Sequence, residues 1–105
     1  MYRLRFFDDY GSGWLWAGDT ATLAAFDVGP LDDLMPLQPA TRDEAAALSV
    51  LHQSTLNWAD PMTPLTLTPG FCAAFNARVQ ALLAAMQADL GPGFCVTPEQ
   101  RRLDP

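Results

Sequence analysis

A run of apolar residues spaced by threes and fours in the last third of the chain constrains the fold more than any other feature. The run consists of Cys72, Phe75, Val79, Leu82, Leu83, Met86 and Leu90. This spacing places all of them on one face of an α-helix. Thr68 before Pro69 is a typical cap and first helical residue, and Gly91 followed by Pro92 is a typical helix end. The sequence therefore predicts a long helix over residues 69–90 that buries one face.

Two short strands are predicted at the N-terminus. The stretch from Tyr2 to Phe7 alternates in polarity, as a half-buried strand does. A loop rich in aspartate, glycine and serine separates it from residues 14–17, which favours a hairpin with a longer turn. In the second strand, Trp14 and Trp16 are expected on one face and Leu15 on the other.

Further helices are predicted in the middle of the chain. Asp19 or Thr20 caps a short helix over residues 21–26, and residues 31–34 are expected to form a single turn. Thr41 and Glu44 have the spacing of a capping box, which opens a second helix that ends before Pro61. Residues 94–97 are predicted as a third strand, and residues 99–105 as a polar tail.

The predicted order is β-β-α-α-α-β in a single domain of residues 1–105. We expect an α+β fold in which a small antiparallel sheet packs on the long C-terminal helix and on one or two further helices. The N-terminal hairpin and the C-terminal strand would form this sheet. The long helix separates Cys72 from Cys95 by more than a disulfide can span, so two buried free thiols are expected.

Acidic residues are concentrated in the first half of the chain. Between Asp8 and Asp60 there are nine acidic residues and one basic residue, Arg42, and the net charge of the whole chain is −6. Such a charge repels nucleic acid and anionic lipid and favours a basic protein partner. There is no apolar run long enough to span a bilayer and no secretory signal, so a cytoplasmic location is expected. The absence of lysine and isoleucine is typical of a GC-rich bacterial genome.

Signatures of catalysis and of metal binding are not found in the sequence. His52 is the single histidine, and the spacings typical of zinc ligands do not occur. We therefore expect neither a metal nor a cofactor, and His52 is expected at the surface of the second helix. An enzyme that uses His52 with a carboxylate or with Cys72 is an alternative, which a pocket joining these groups would support.

Four segments of the chain resemble a family of small acidic bacterial proteins. They are Phe6-Phe7-Asp8-Asp9-Tyr10-Gly11, Leu15-Trp16-Ala17-Gly18-Asp19, Ser54-Thr55-Leu56-Asn57-Trp58-Ala59-Asp60-Pro61 and Phe75-Asn76-Ala77-Arg78. The general appearance of this family is similar to that of single-domain immunity proteins and antitoxins, which implies an inhibitory role. The chain departs from the family pattern at Ala59, which stands between the tryptophan and the following acid.

We predict a non-enzymatic protein-binding module, most similar to an immunity protein or antitoxin, whose acidic face docks on a basic partner such as a toxin that acts on nucleic acids. The residues predicted to bind this partner are Asp8, Asp9, Tyr10, Asp32, Asp33, Asp43, Glu44 and Trp58. The acids would steer association and form ion pairs, and the two aromatic residues would supply anchoring area. The alternative is a small structural or assembly subunit that forms a homodimer through its aromatic hairpin face.

Overall fold

Strands and helices follow one another in the predicted order in a computed structural model that describes all residues from 1 to 105. The strands are β1 (Tyr2–Phe6), β2 (Leu15–Ala17) and β3 (Phe94–Pro98). The helices are α1 (Thr20–Ala25), α2 (Pro39–Gln53) and α3 (Pro69–Leu90), and a 3-10 turn spans Asp32–Leu34. The prediction of an α+β fold with the order β-β-α-α-α-β is confirmed.

The sheet is mixed, with β1 between the other two strands. β1 pairs with β2 in the antiparallel sense, which places Phe6 opposite Leu15. β1 pairs with β3 in the parallel sense, which places Tyr2 opposite Phe94. The prediction of an antiparallel sheet is therefore wrong for β3. This strand is reached through a long helical connection, and a crossover of that kind permits parallel pairing, whereas a tight turn does not.

Helix α3 forms one wall of the core, as its apolar stripe predicts. The hydroxyl of Thr68 accepts a hydrogen bond from the N–H of Phe71, and Gly91 ends the helix with φ of 77°. The buried face contains Cys72, Phe75, Val79, Leu82, Met86 and Leu90. It packs against the face of the sheet that carries Leu4 and Phe6. Full burial of each large apolar side chain contributes about 1.5–3 kcal/mol, so this contact is a main source of stability.

Helix α2 begins earlier than its sequence signature predicts. Pro39 is its first residue and Gln38 stands at the cap position, so the predicted capping box at Thr41 and Glu44 is wrong. The reason is a tertiary contact, because the carboxylate of Asp89 on α3 accepts a hydrogen bond from the N–H of Gln38 at 3.0 Å. A side chain of another helix thus satisfies a backbone group that a local cap would otherwise satisfy.

The two tryptophans of the hairpin do not share a face, contrary to the prediction. The N–H groups of Trp14 and of the residue after it both donate to the carboxylate of Asp32. This contact turns Trp14 into the core, where its ring stacks on Phe6 at 5.1 Å between centroids. Trp16 stacks instead on Phe7, also at 5.1 Å. Trp14 is fully buried, so the aromatic face on which the homodimer alternative depends is not formed.

The C-terminal tail is attached to the body of the protein. The carboxylate of Glu99 pairs with Arg5 at 2.8 Å, and the N–H of Leu103 donates to the side chain of Asn76. The two cysteines are free, as predicted, although Cys95 is only half-buried. Among the helices, none has the length and apolar character needed to cross a membrane.

Candidate functional site

Asp8 lies inside the protein rather than on its surface. Only 4% of the residue is exposed, and its carboxylate accepts four hydrogen bonds. The donors are the N–H groups of Gly11 (2.9 Å) and Gly13 (3.2 Å), the hydroxyl of Ser49 (3.1 Å) and Nδ1 of His52 (2.8 Å). Asp8 therefore shapes the loop between β1 and β2, and its carboxylate is not available for direct contact with a partner.

His52 is the second buried member of this polar cluster, contrary to the expectation of a surface position. It is 5% exposed, and its ring stacks on that of Tyr10 at 4.4 Å between centroids with an interplanar angle of 14°. The side-chain oxygen of Gln100 accepts a hydrogen bond from the N–H of Asp8, so the NH₂ group of Gln100 faces Nε2 of His52 at 3.4 Å. This arrangement assigns the proton to Nδ1, which donates to Asp8.

The contacts of His52 differ from those of a nucleophile and its base. A catalytic base accepts a hydrogen bond from the nucleophile and donates to the carboxylate that orients it. Here Ser49 and His52 both donate to the same carboxylate, that of Asp8. The cluster is suited to holding the backbone of the loop in place, since every buried side-chain nitrogen and oxygen in it has a partner.

Asp32 has a similar internal role at the other end of the loop. Its carboxylate accepts hydrogen bonds from the N–H groups of Trp14 (3.0 Å) and Leu15 (2.8 Å). Burial raises the pKa of Asp32 above its usual value, while the hydrogen bonds from Leu15 and Trp14 oppose that rise.

An open cleft of about 340 Å³ lies between this loop, the segment around residues 30–37 and the outer side of α2. We refer to it as the α2 cleft, and its lining includes Gly13, Asp33, Arg42, Ala46, Val50 and Gln53. The side chain of Asp33 is fully exposed and lies 3.9 Å from the guanidinium of Arg42. Arg42 also donates to the backbone carbonyls of Asp32 and Met35, which fixes this cation in the wall.

Three more of the predicted site residues are exposed on or next to the elements that form the α2 cleft. Asp43 is exposed on α2, one turn before Ala46 of the lining. Asp9 is exposed in the hairpin loop that forms one wall. Trp58 is 58% exposed and donates its indole N–H to the carbonyl of Gln53 at the end of α2. Asp33 is among the lining residues of the cleft, whereas the side chains of Asp9, Asp43 and Trp58 are not.

Glu44 faces in a different direction from the other predicted site residues. It accepts two hydrogen bonds from Arg78 of α3, at 3.0 and 2.6 Å. The hydrogen bond from Arg78 lowers the pKa of Glu44 below its usual value. Glu44 thus joins α2 to α3 and does not line the α2 cleft.

Val50 is a cleft residue that the sequence analysis did not identify. It is 66% exposed, whereas Ala45 and Leu48 on the inner side of the same helix are buried. The sequence shows that Val50 falls off the buried stripe of this helix, but a single exposed apolar residue does not by itself mark a binding surface.

These features define a small, acidic α+β protein with an open cleft whose lining includes Asp32 and Asp33. No group of three or more histidine, cysteine, aspartate or glutamate side chains is placed to hold a metal ion. A protein-family model described as Serratia CdiI immunity protein-like matches residues 2–98, and the chain therefore belongs to this family. The resemblance to immunity proteins is thus confirmed. No curated protein matches the chain in sequence.

Proposed function

We propose that this chain is an immunity protein that binds a cognate toxin in the bacterial cytoplasm and inhibits it without catalysing a reaction. Membership of an immunity protein-like family across residues 2–98 is the observation that carries the proposal. The α2 cleft is consistent with the proposal, because an open cleft near exposed aromatic residues is suited to a protein partner.

The α2 cleft and its acidic border form the proposed toxin-binding surface. Asp9 and Asp43 are exposed and take part in no ion pair within 4 Å, and Asp33 faces a single arginine. With a net charge of −6, these side chains would attract a basic surface and raise the association rate. The exposed areas of Tyr10, Val50 and Trp58 would then provide apolar contact in the bound state.

A basic partner is consistent with a toxin that acts on nucleic acids. Such a toxin binds its substrate through lysine and arginine side chains, and an acidic protein that covers them blocks access of the substrate. Of the residues predicted from the sequence, Asp9, Tyr10, Asp33, Asp43 and Trp58 belong to this proposed surface. Asp8 supports it from inside, Asp32 is half-buried and lines the cleft, and Glu44 lies outside it.

Co-expression followed by binding kinetics tests the proposal. The toxin domain encoded next to the gene of this chain is expressed in a host with and without the chain, and growth is expected only when the chain is present. The purified pair is then compared by surface plasmon resonance at several salt concentrations. The variants Asp33→Lys and Asp43→Lys should each slow association at low salt by about threefold to tenfold and reduce the salt dependence.

Asp104→Lys is the matched control, because it makes the same change of charge at an exposed position of the C-terminal tail, next to Leu103, which is bound to Asn76 of α3. It should slow association clearly less than the cleft variants. Equal slowing by all three variants would show that net charge alone matters, and the absence of any protection or binding would refute the immunity role itself.

A further inference from the structure

We propose that Asp8 and His52 are positioning residues that hold the hairpin loop of residues 9–13 in the conformation that binds the partner, with Tyr10 as the contact that they present. This inference rests on the proposed function. It concerns buried groups that never touch the partner, and it is therefore distinct from the roles of the exposed acids.

The backbone of the loop is in an unfavourable conformation at Tyr10. Tyr10 has φ of 47° and is the one residue other than glycine with a positive φ. The left-handed region is sparsely populated by residues that carry a Cβ, and such a conformation persists when the surroundings impose it. Gly11 and Gly13 follow with φ of 101° and 144°, which glycine adopts without strain, so the cost falls on Tyr10.

Contacts with Asp8 and His52 impose this conformation. The carboxylate of Asp8 accepts from the N–H groups of Gly11 and Gly13, which fixes the path of the backbone on either side of Ser12. The ring of His52 stacks on that of Tyr10, which fixes the side chain, and its Nδ1–H holds Asp8 in place. Each of the two residues therefore depends on the other for its effect on the loop.

The same contacts leave Tyr10 available to a partner. The side chain is 40% exposed although one face of its ring is covered by His52, and the exposed Asp9 stands next to it. An aromatic ring beside a carboxylate accepts a cationic side chain by cation–π attraction, so an arginine or lysine of the basic partner fits this position. Because the ring is already ordered, its entropy is not lost on binding.

A double-mutant cycle with the toxin domain encoded next to the gene of this chain tests the inference. His52→Gln retains an N–H donor near Asp8 but removes the ring on which Tyr10 stacks. We expect dissociation about tenfold faster, with the association rate and the active fraction of protein unchanged, since the exposed acids are untouched. If His52 acts through Tyr10, then His52→Gln should have no further effect in a Tyr10→Ala background.

Tyr2→Ala is the matched control for Tyr10→Ala, because Tyr2 is 39% exposed and lies at the opposite end of β1 from the hairpin loop, where its ring packs on Phe26. It should leave dissociation unchanged. A purely structural defect in His52→Gln would lower the active fraction and leave the dissociation rate of the remaining complex as it is. Unchanged dissociation, or an effect that adds in full to that of Tyr10→Ala, would overturn the inference.

Amide hydrogen exchange of the free protein provides a second measurement. The N–H groups of Gly11 and Gly13 are protected by Asp8 in the structure. We expect His52→Ala, which removes the Nδ1–H donor to Asp8 as well as the ring, to increase their exchange by at least about tenfold relative to amides of α3. Unchanged exchange at these two amides would refute the positioning role. If the wild-type chain does not bind the toxin domain, the proposed function fails, whereas the exchange measurement still decides whether His52 orders the loop.

Discussion

The adjacent acids Asp8 and Asp9 allow a sharp test of the internal polar cluster. Asp8→Ala and Asp9→Ala make the same change in composition and in charge at neighbouring positions. In the structure, however, Asp8 is 4% exposed and accepts four hydrogen bonds, whereas Asp9 is exposed. We expect the first substitution to destabilise the protein strongly and the second to change its stability by less than about 0.5 kcal/mol.

The magnitude follows from the donors that Asp8→Ala leaves without an acceptor. His52 is buried, and an unsatisfied buried donor costs about 1–3 kcal/mol. The N–H groups of Gly11 and Gly13 and the hydroxyl of Ser49 are only partly buried, so water can replace part of their bonds, at a cost of roughly 0.5–1 kcal/mol each. The expected total is about 3–5 kcal/mol, a large part of the roughly 5–15 kcal/mol that stabilises a typical domain.

Urea unfolding followed by tryptophan fluorescence measures this difference. With a slope of about 1.5–2 kcal/mol per molar urea for a small protein, the midpoint of Asp8→Ala should fall by roughly 2 M. The midpoint of Asp9→Ala should lie close to that of the wild type. If the two midpoints shift equally, Asp8 is not the buried acceptor that the structure describes, and the assignment of an internal role to it is wrong.

Other contacts give further predictions. The side-chain amide of Gln87 forms hydrogen bonds with two backbone groups on the outer edge of β3. Gln87→Leu should therefore destabilise the protein by about 1–3 kcal/mol and promote self-association in size-exclusion chromatography. Gln80→Leu, at an exposed position of the same helix, is the control. Trp14→Phe should cost about 2–3 kcal/mol in urea unfolding, since it leaves a buried backbone carbonyl of α2 without its indole donor at 2.9 Å and creates a cavity. Arg78→Gln should lower the melting temperature at pH 6 and have a smaller effect at pH 3. The hydrogen bond from Arg78 lowers the pKa of Glu44 below its usual 4.5. The stabilisation from this pair is therefore present above pH 4.5 and is lost as the pH falls through the lowered pKa of Glu44.

The elements that sequence analysis predicted correctly are those with local determinants. Helix α3 carries its stripe, its Thr68 cap and its Gly91 end within one continuous segment, and the structure contains all three. The start of α2 was misplaced because its stabilising carboxylate, that of Asp89, is about fifty residues away in sequence, and the cap position itself has no side-chain cap. The parallel pairing of β3 likewise depends on how the helical connection packs, which no local pattern encodes.

The candidate site shows the same division between local and long-range information. The abundance of acids in the first half of the chain predicted an acidic binding face, and this stays a prediction; of its members, Asp33 and Asp43 are exposed. The burial of His52 could not be predicted from its place on a helix, because it results from contacts with Asp8, Tyr10 and the distant Gln100.

Two pairs of consecutive aspartates explain why counting charge could not define the site. In each pair the inner carboxylate binds backbone N–H groups and the outer one is exposed. Asp8 and Asp32 are the inner members, although Asp32 is only half-buried and also lines the α2 cleft, and Asp9 and Asp33 are the outer members. The two inner carboxylates bind consecutive parts of the hairpin loop. Asp8 accepts hydrogen bonds from the N–H groups of Gly11 and Gly13, and Asp32 accepts them from those of Trp14 and Leu15. Each exposed acid therefore projects from backbone that its own neighbour holds in place. Substitution of an inner aspartate would remove its own charge and would also shift the position of the exposed aspartate next to it. A change in the stability of the loop therefore also changes the surface electrostatics.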